Sequence, residues 1–163
     1  MEKKGFTLVE LLAVIAILAI LVIIALPNVM GMFNTAKENS FYTEVKEIYK
    51  TAQNQWMLDN MSGANQSITY TRSGTNKLDL SGRDDIDYSI TINSAGNVTR
   101  YAASDGTFWY VNHTSTGLKV EDIDKDNGGK WADSKKPLCT VNDASVACSH
   151  DNFATNANGS VQE

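Results

Sequence analysis

The pattern of hydrophobic and polar positions begins with a long apolar run. From Leu11 to Leu26 there is no polar side chain, and between Phe6 and Leu26 the only polar residues are Thr7 and Glu10. A helix with a rise of about 1.5 Å per residue spans roughly 31 Å over this length, which matches the hydrocarbon core of a bilayer. The pattern therefore predicts a membrane-spanning helix with one carboxylate near its start.

A second stretch continues the helical pattern with a single apolar stripe. Apolar or small residues recur about every 3.6 positions, which favours one helix from Phe6 to about Asp59. The stripe comprises Phe33, Ala36, Phe41, Val45, Ile48, Ala52 and Trp56. Because such a stripe must cover something, we expect this half of the helix to pack on a sheet. Proline removes a helical hydrogen bond, so a kink or local break is expected at Pro27.

The third stretch alternates apolar and polar residues and predicts an antiparallel meander. Gly63 is expected to end the helix, and a connecting loop with a short strand follows. The expected strands are 67–71, 86–92, 98–103, 107–112 and 118–120, with turns at 94–97, 104–106 and 113–116. The tail, residues 121–163, is predicted to have irregular structure. The predicted fold class is α+β, a long N-terminal helix with an antiparallel sheet.

The first residues resemble the N-terminus of a type IV pilin. The resemblance lies in a short basic head, the sequence Gly5-Phe6-Thr7-Leu8-Val9-Glu10, the unbroken apolar run and Pro27. It implies that a prepilin peptidase cuts after Gly5 and that the new N-terminal Phe6 is N-methylated. It also implies that Glu10 neutralises the N-terminal amine of a neighbouring subunit and sets the axial register.

The pilin resemblance implies a particular organisation of the chain. Residues 1–5 are a leader, residues 6–27 a protruding transmembrane and assembly helix, and residues 28–163 an extracellular head. The head is expected to consist of the amphipathic half of the helix (28–59), a loop (60–85), the sheet (86–120) and a C-terminal loop region (121–163). In filaments of this family the segment around Ala25–Gly31 can lose helicity.

Two simpler interpretations of the N-terminus stay open. A secretory signal peptide also has a basic head and an apolar run, but it does not account for Glu10 inside the run. A plain single-pass anchor accounts for the hydrophobicity and not for Gly5-Phe6. Lys3 and Lys4 precede the run, so the positive-inside rule places the N-terminus in the cytoplasm and the head outside.

The net charge of the chain limits the kinds of partner. The formal charge is −5, and removal of Glu2, Lys3 and Lys4 by cleavage takes away a net +1 and leaves −6. An acidic exterior argues against nonspecific binding of nucleic acid, and no specific nucleic acid is predicted.

The two cysteines, Cys139 and Cys148, both lie on the predicted outer side. An oxidising compartment favours a disulfide between them, with eight residues in the loop. Two free thiols or a metal pair are the alternatives. Neither His113 nor His150 lies at metal-ligand spacing from a partner, which favours the disulfide.

An acidic segment in the tail resembles the first half of a calcium loop. Asp122, Asp124 and Asp126 alternate, and Asp133 falls at the twelfth position from Asp122. The sixth position is Asn127 rather than glycine, and flanking helices are not evident. The alternative is an ordinary acidic surface loop, so the prediction is no cofactor, with calcium as an open hypothesis.

We find no nucleophile–base signature, phosphate loop or zinc spacing in the sequence, which predicts a structural protein rather than an enzyme. The resemblance implies a pilus subunit that is anchored in the cytoplasmic membrane and then polymerised into a helical surface filament for motility, adhesion or biofilm formation. The implied partners are other copies, the prepilin peptidase, minor pilins, and the assembly platform with its ATPases. The alternatives are a pseudopilin of a type II secretion or DNA-uptake system, and an enzyme or receptor head on an anchor.

Overall fold

A long helix, α1, opens the fold and runs from Leu8 to Asp59 in a computed structural model of the chain. The structure describes residues 5–63, 65–82, 85–134, 137–141, 144–147, 153 and 157–161, and the backbone alone at 138–141, 144–147 and 157–161. The predicted helix is confirmed to within two residues at its start. Gly63 lies beyond its end with φ +83° and donates its N–H to the Asn60 carbonyl at 2.9 Å, which is the predicted glycine stop.

The chain forms two compact units, residues 1–39 and 40–163. In the first unit residues 5–37 are all exposed, including every large hydrophobic side chain of the apolar run. The helical backbone is continuous through Pro27, so the structure has no break there, and a kink at Pro27 stays a prediction. One proline removes only one N–H from a long ladder of hydrogen bonds, and the neighbouring turns keep theirs. Loss of helicity inside a filament stays a prediction.

The second unit contains the buried stripe of α1. Its buried residues are Phe41, Tyr42, Val45, Ile48, Tyr49 and Ala52, which recur at the three- and four-residue spacing of one helix face. The predicted stripe is therefore confirmed from Phe41 to Ala52. It is wrong at Phe33 and Ala36, which are exposed, because these two lie in the unit that carries no sheet.

The main sheet has five antiparallel strands in sequence order. They are β1 (Ile68–Thr71), β2 (Asp87–Ile92), β3 (Val98–Ser104), β4 (Phe108–Leu118) and β5 (Gly128–Lys130). The β2–β3 hairpin turns through Gly96, at φ +83°, where Asn93 accepts the N–H groups of Ala95 and Asn97 with its side chain. The predicted α+β architecture, a long helix followed by an antiparallel meander, is confirmed.

One predicted turn is wrong. Residues 113–116 belong to the single strand β4 and do not separate two strands. Arg100 of β3 pairs with His113 and Val98 pairs with Leu118, so β4 carries extra residues between these two pairs and bulges. The bulge keeps Leu118 buried against the core, while Gly117 adopts φ +100°. Burial of Leu118 thus favours continued pairing of β4 with β3 beyond the bulge.

The tail is more ordered than the predicted irregular region. Two short 3-10 helices, Val120–Asp122 and Lys125–Asn127, lead into β5, and a second sheet follows with β6 (Pro137–Val141), β7 (Ala144–Ala147) and β8 (Ala157–Val161) in the order β7-β6-β8. Two consecutive glycines have low strand propensity, so the sequence pattern does not indicate β5. Glycine is required at both positions, because a Cβ at Gly128 would meet the Tyr42 hydroxyl and a Cβ at Gly129 would meet the Trp109 ring.

The main sheet is buried on both faces. One face packs its tyrosines and isoleucines, such as Tyr88 and Ile90, against the buried stripe of α1. The other face carries Ala102, Trp109 and Val111, which alternate with the first set along β3 and β4 and form a second cluster with Phe153. Strand β8 of the second sheet lies beside β4 and β3.

Tyrosine hydroxyls fasten the second half of α1 to the sheet. The Tyr49 hydroxyl donates to the Leu118 carbonyl at 2.6 Å, and the Tyr101 hydroxyl donates to the Val45 carbonyl at 2.7 Å. Both hydrogen bonds are buried, so each also satisfies a polar group that water does not reach. These two bonds therefore fix the second half of α1 in one register on the sheet.

Candidate functional site

The junction between Gly5 and Phe6 lies in exposed, non-helical backbone. Residues 5–7 precede the first turn of α1, and the Phe6 side chain is 86% exposed. A Cβ built on Gly5 meets no atom within 4 Å, and its backbone is not in the left-handed region. The chain itself thus imposes no need for glycine here. Any requirement for Gly5 must come from a molecule that binds this junction.

Thr7 and Glu10 close the N-terminus of α1 by reciprocal hydrogen bonds. The Glu10 Oε2 atom accepts from the Thr7 backbone N–H and from the Thr7 hydroxyl, both at 2.8 Å. The Glu10 N–H donates to the Thr7 hydroxyl oxygen at 3.3 Å, and the Leu11 N–H donates to the Thr7 carbonyl at 3.2 Å. This is a capping box with Thr7 as the N-cap and Glu10 at the third helical position.

The capping box gives Glu10 a local role at the start of α1. Phe6 lies before the helix begins, and the Glu10 carboxylate binds Thr7, the next residue. The assembly role that the pilin resemblance implies for Glu10 stays a prediction. Thr7 is the residue that the sequence analysis missed. Its signal was a threonine three positions before a glutamate at the start of an apolar run.

The apolar part of α1 has the length and composition of a membrane span, and it is the one such helix in the described ranges. Beyond Pro27, the Thr35 hydroxyl donates to the Gly31 carbonyl at 3.1 Å. A side-chain bond of this kind adds a second donor to a carbonyl in the turn that follows the proline. Pro27 and Gly31 are thus embedded in regular helix, with exposed side chains on all sides.

The acidic residues of the calcium hypothesis serve as local caps. The Asp122 carboxylate accepts the Lys119 N–H, and the Asp124 carboxylate accepts the Asp126 N–H. The Asp133 carboxylate accepts the Lys130 N–H at 3.3 Å. Within the part of the chain that the structure describes, no three His, Cys, Asp or Glu side chains are grouped suitably for a metal ion. Calcium stays a prediction, which a calcium titration of the melting temperature tests.

The predicted disulfide lies outside the described residues. Cys148 is not among them, and only the backbone of Cys139 is described, in β6 opposite Val146 of β7. The pairing of the two cysteines stays a prediction.

Comparison with known families identifies the N-terminal segment. Residues 1–26 match the family described as the prokaryotic N-terminal methylation motif. The match covers the leader, the Gly5–Phe6 junction, the capping box and the apolar run up to Leu26. This family is defined by a structural motif and is not an enzyme family. No curated protein and no solved structure shows significant similarity to the chain.

Proposed function

We propose, from the premise that residues 1–26 are the type IV prepilin signature, that the chain is a structural subunit of a type IV pilus. It is cut after Gly5, N-methylated at Phe6 and polymerised through its N-terminal helix into a surface filament. The observation that carries the proposal is the exposed apolar surface that begins directly after the junction.

That exposed surface supports polymerisation because exposure of so many apolar side chains to water is unfavourable. Large hydrophobic side chains are exposed from Phe6 to Phe33. Burial of each one contributes about 1.5–3 kcal/mol, so even partial burial between copies supplies a large affinity. Before assembly the same segment fits a bilayer, which agrees with a membrane-anchored precursor. Lys3 and Lys4 precede the apolar run, and the positive-inside rule therefore supports a cytoplasmic N-terminus for that precursor.

Glu10 gives the polymer its register in this proposal. Cleavage creates a cationic amine on Phe6, and a carboxylate in an apolar bundle needs a positive partner. The capping box supports this role because it holds the Glu10 carboxylate at the N-terminal end of α1, next to the junction. A neighbouring copy then brings its amine to that carboxylate.

The remaining partners are those that the pilin resemblance implies. Energy for extension and retraction comes from ATPases that act with an assembly platform. The prepilin peptidase and minor pilins are the other expected partners. The filament serves motility, adhesion or biofilm formation. A pseudopilin of a type II secretion or DNA-uptake system shares the same N-terminus and is the second candidate.

The first test is the N-terminus of the protein from its native cells, determined by intact mass and N-terminal sequencing. The expected chain begins with methylated Phe6, and abundant long surface filaments in which this subunit dominates then favour the pilus over the pseudopilus. A chain that still begins at Met1, or one cut near Gly31, contradicts the proposal.

A pair of glycine variants sharpens the test. A Cβ at Gly5 or at Gly31 meets nothing within 4 Å, so neither substitution disturbs the fold through a clash. We expect Gly5→Val to leave the precursor uncut, because the side chain obstructs the peptidase. Gly31→Val is the matched control and is cut normally. Equal processing of both variants contradicts cleavage after Gly5.

A further inference from the structure

A long stretch of α1 carries no charge, and a lysine marks its far end. After Glu10 the next charged side chain is Lys37, so the 26 residues at positions 11–36 have no formal charge. At about 1.5 Å per residue this stretch is about 39 Å long, close to the roughly 40–45 Å of a hydrocarbon core with both headgroup layers. Lys37 therefore lies where such a helix leaves the headgroups on the side opposite the N-terminus.

The Lys37 side chain points back towards the apolar end of α1. Its Nζ atom lies 4.8 Å from the centroid of the Phe33 ring, one helical turn nearer the N-terminus. Because helix side chains lean towards the N-terminus, this cation–π contact brings the ammonium back to the level of the headgroups. Phe33 is 57% exposed and is the last large hydrophobic side chain of the apolar segment. The two side chains together present a ring and a cation on one face.

The Lys37 ammonium is available to an anion. The side chain is exposed, and within the ranges that the structure describes it makes no ion pair. An ammonium has three N–H donors, and the face of a phenyl ring offers them no oxygen acceptor. The donors therefore remain available for the oxygen atoms of an anionic group.

The position of the pair identifies that anion. Aromatic side chains and lysines collect at the ends of membrane-spanning helices, where the ring lies among the headgroups and the lysine extends its ammonium to the polar layer. The anion that is concentrated at this level is lipid phosphate. Lys50 is also exposed on α1, but it lies about 20 Å further along the helix and makes no cation–π contact among the described residues.

We infer that Phe33 and Lys37 form a binding site for the phosphate group of a membrane lipid, in the leaflet opposite the N-terminus. The inference rests on the membrane-anchored precursor of the proposed function. Residues 8–37 form one continuous helix, so a lipid phosphate held at Lys37 fixes how far the helix enters the bilayer. It thereby fixes the depth of the Gly5–Phe6 junction at the other surface.

The direct test uses photoreactive lipids and the full-length, uncut chain in phosphatidylglycerol vesicles. One probe lipid carries a diazirine beside its headgroup phosphate, and mass spectrometry identifies the crosslinked peptides. We expect it to label the peptide that contains residues 33–37. A second probe, a glycolipid with the diazirine in a headgroup without phosphate, is expected to label that peptide equally in the wild type and in Lys37→Gln. Absence of labelling by the phosphate probe at this peptide overturns the inference.

Substitution of Lys37 measures the contribution of its charge. We expect Lys37→Gln to lower labelling by the phosphate probe about fivefold, which corresponds to about 1 kcal/mol for one lysine near an anionic surface. Lys37→Arg keeps the cation and keeps the labelling. Lys50→Gln removes the same charge further along α1 and is the matched control, with wild-type labelling. Equal labelling of the wild type and Lys37→Gln, or an equal loss in Lys50→Gln, contradicts the inference.

Substitution of Phe33 measures the contribution of the ring. Phe33→Leu keeps an apolar side chain but removes the ring face, and we expect labelling to fall about two- to fivefold, the scale of an exposed cation–π contact. Met32→Leu, at a side chain that is 74% exposed, is the control and leaves labelling unchanged. The melting temperature of the head stays at the wild-type value in every variant, since all the substituted side chains are exposed. Wild-type labelling of Phe33→Leu shows that the ring is not part of the site and overturns the two-residue assignment.

The labelling experiment also separates the inference from the proposed function, because it needs neither a peptidase nor a filament. If labelling does not depend on Lys37 and native cells contain the chain with methylated Phe6, the inference fails and the pilus function stands. If labelling depends on Lys37 and the native chain is unprocessed, the pilus function fails and the lipid site stands.

Discussion

Phe33 and Phe41 lie eight residues apart on the same helix and meet opposite environments. Phe33 is 57% exposed in the N-terminal unit, whereas Phe41 is 0% exposed and stacks on Phe108 with ring centroids 5.8 Å apart. Backbone structure is helical at both positions, so helix propensity does not distinguish them. The difference shows that one half of α1 obtains its packing from its own sheet and that the large apolar side chains of the other half stay exposed.

The largest expected effect comes from the same substitution at both positions. Phe41→Ala removes a fully buried ring and leaves a cavity, which lowers the free energy of unfolding by about 3–5 kcal/mol. Phe33→Ala changes it by less than about 0.5 kcal/mol, because the ring is exposed. Denaturant unfolding of the full-length protein in detergent measures both. Equal destabilisation by the two substitutions would contradict the difference in packing between the two halves of α1.

Filament assembly, unlike the stability of the head, is expected to depend on the N-terminal half of α1. Glu10→Ala leaves processing and head stability intact, but it lowers the filament fraction about ten- to a hundredfold, because a hydrogen-bonded charge pair is worth that factor in association. Glu121→Ala removes the same charge from the exposed surface of the head and is the control. Sheared filaments, quantified against total subunit in the cell, give the measurement. A wild-type filament level in the Glu10→Ala variant would contradict the role of Glu10 in setting the register.

The tyrosine contacts of the head allow a smaller and pH-dependent test. Tyr101→Phe removes the hydrogen bond to the Val45 carbonyl and costs about 1 kcal/mol of unfolding free energy at neutral pH. Burial raises the pKa of Tyr101 well above its ordinary value, and burial also raises the pKa values of Tyr49, Tyr70 and Tyr110.

The sign of the pH effect follows from these raised pKa values. The unfolded state loses its tyrosine protons near pH 10, before the folded state does. The contribution of these tyrosines to stability is therefore constant below about pH 10 and falls as the pH rises through the raised pKa values. Tyr101→Phe makes this alkaline fall shallower. Unfolding followed by tyrosinate absorbance checks it, and a parallel fall in both proteins would argue against ionisation of Tyr101.

The smallest expected effect concerns the capping box. Thr7→Val removes the hydroxyl that donates to Glu10 and accepts from its N–H, so the carboxylate loses its fixed position at the start of α1. We expect filament yield to fall about two- to fivefold, which is the usual scale of one lost N-cap. Thr7→Ser keeps the hydroxyl and restores the yield. Identical yields for the two variants would show that the capping box has no part in assembly.

Local patterns predicted the elements whose residues interact with near neighbours along the chain. The extent of α1 follows from apolar periodicity, and the β2–β3 hairpin follows from alternation around Gly96. The capping box of Thr7 and Glu10 was readable in the same way and was overlooked. The hydrogen bonds of Asp59 with Tyr70 and of Asn60 with Gln66 were not predictable, because the pattern does not show which residues the end of α1 meets.

The errors in the sheet arose where distant residues decide the structure. Residues 113–116 have the local bonds of a turn, with the Thr114 hydroxyl accepting the Thr116 N–H at 3.2 Å. Pairing of Leu118 with Val98 nevertheless makes them part of β4. Strand β5 depends in the same way on Tyr42 and Trp109, which require glycine where they approach its backbone.

By itself, the sequence determined the long helix, its division into an apolar and an amphipathic half, the order of the central strands and the position of Glu10 at the start of the apolar run. These features depend on side-chain periodicity and on residues within four positions of one another. Only the tertiary structure decided which half of the stripe is buried, the bulge in β4, the strands of the tail and the hydrogen bonds of Asp59 and Asn60 at the end of α1. Each of these depends on contacts between residues that are distant in the chain, whose free energies no local pattern records.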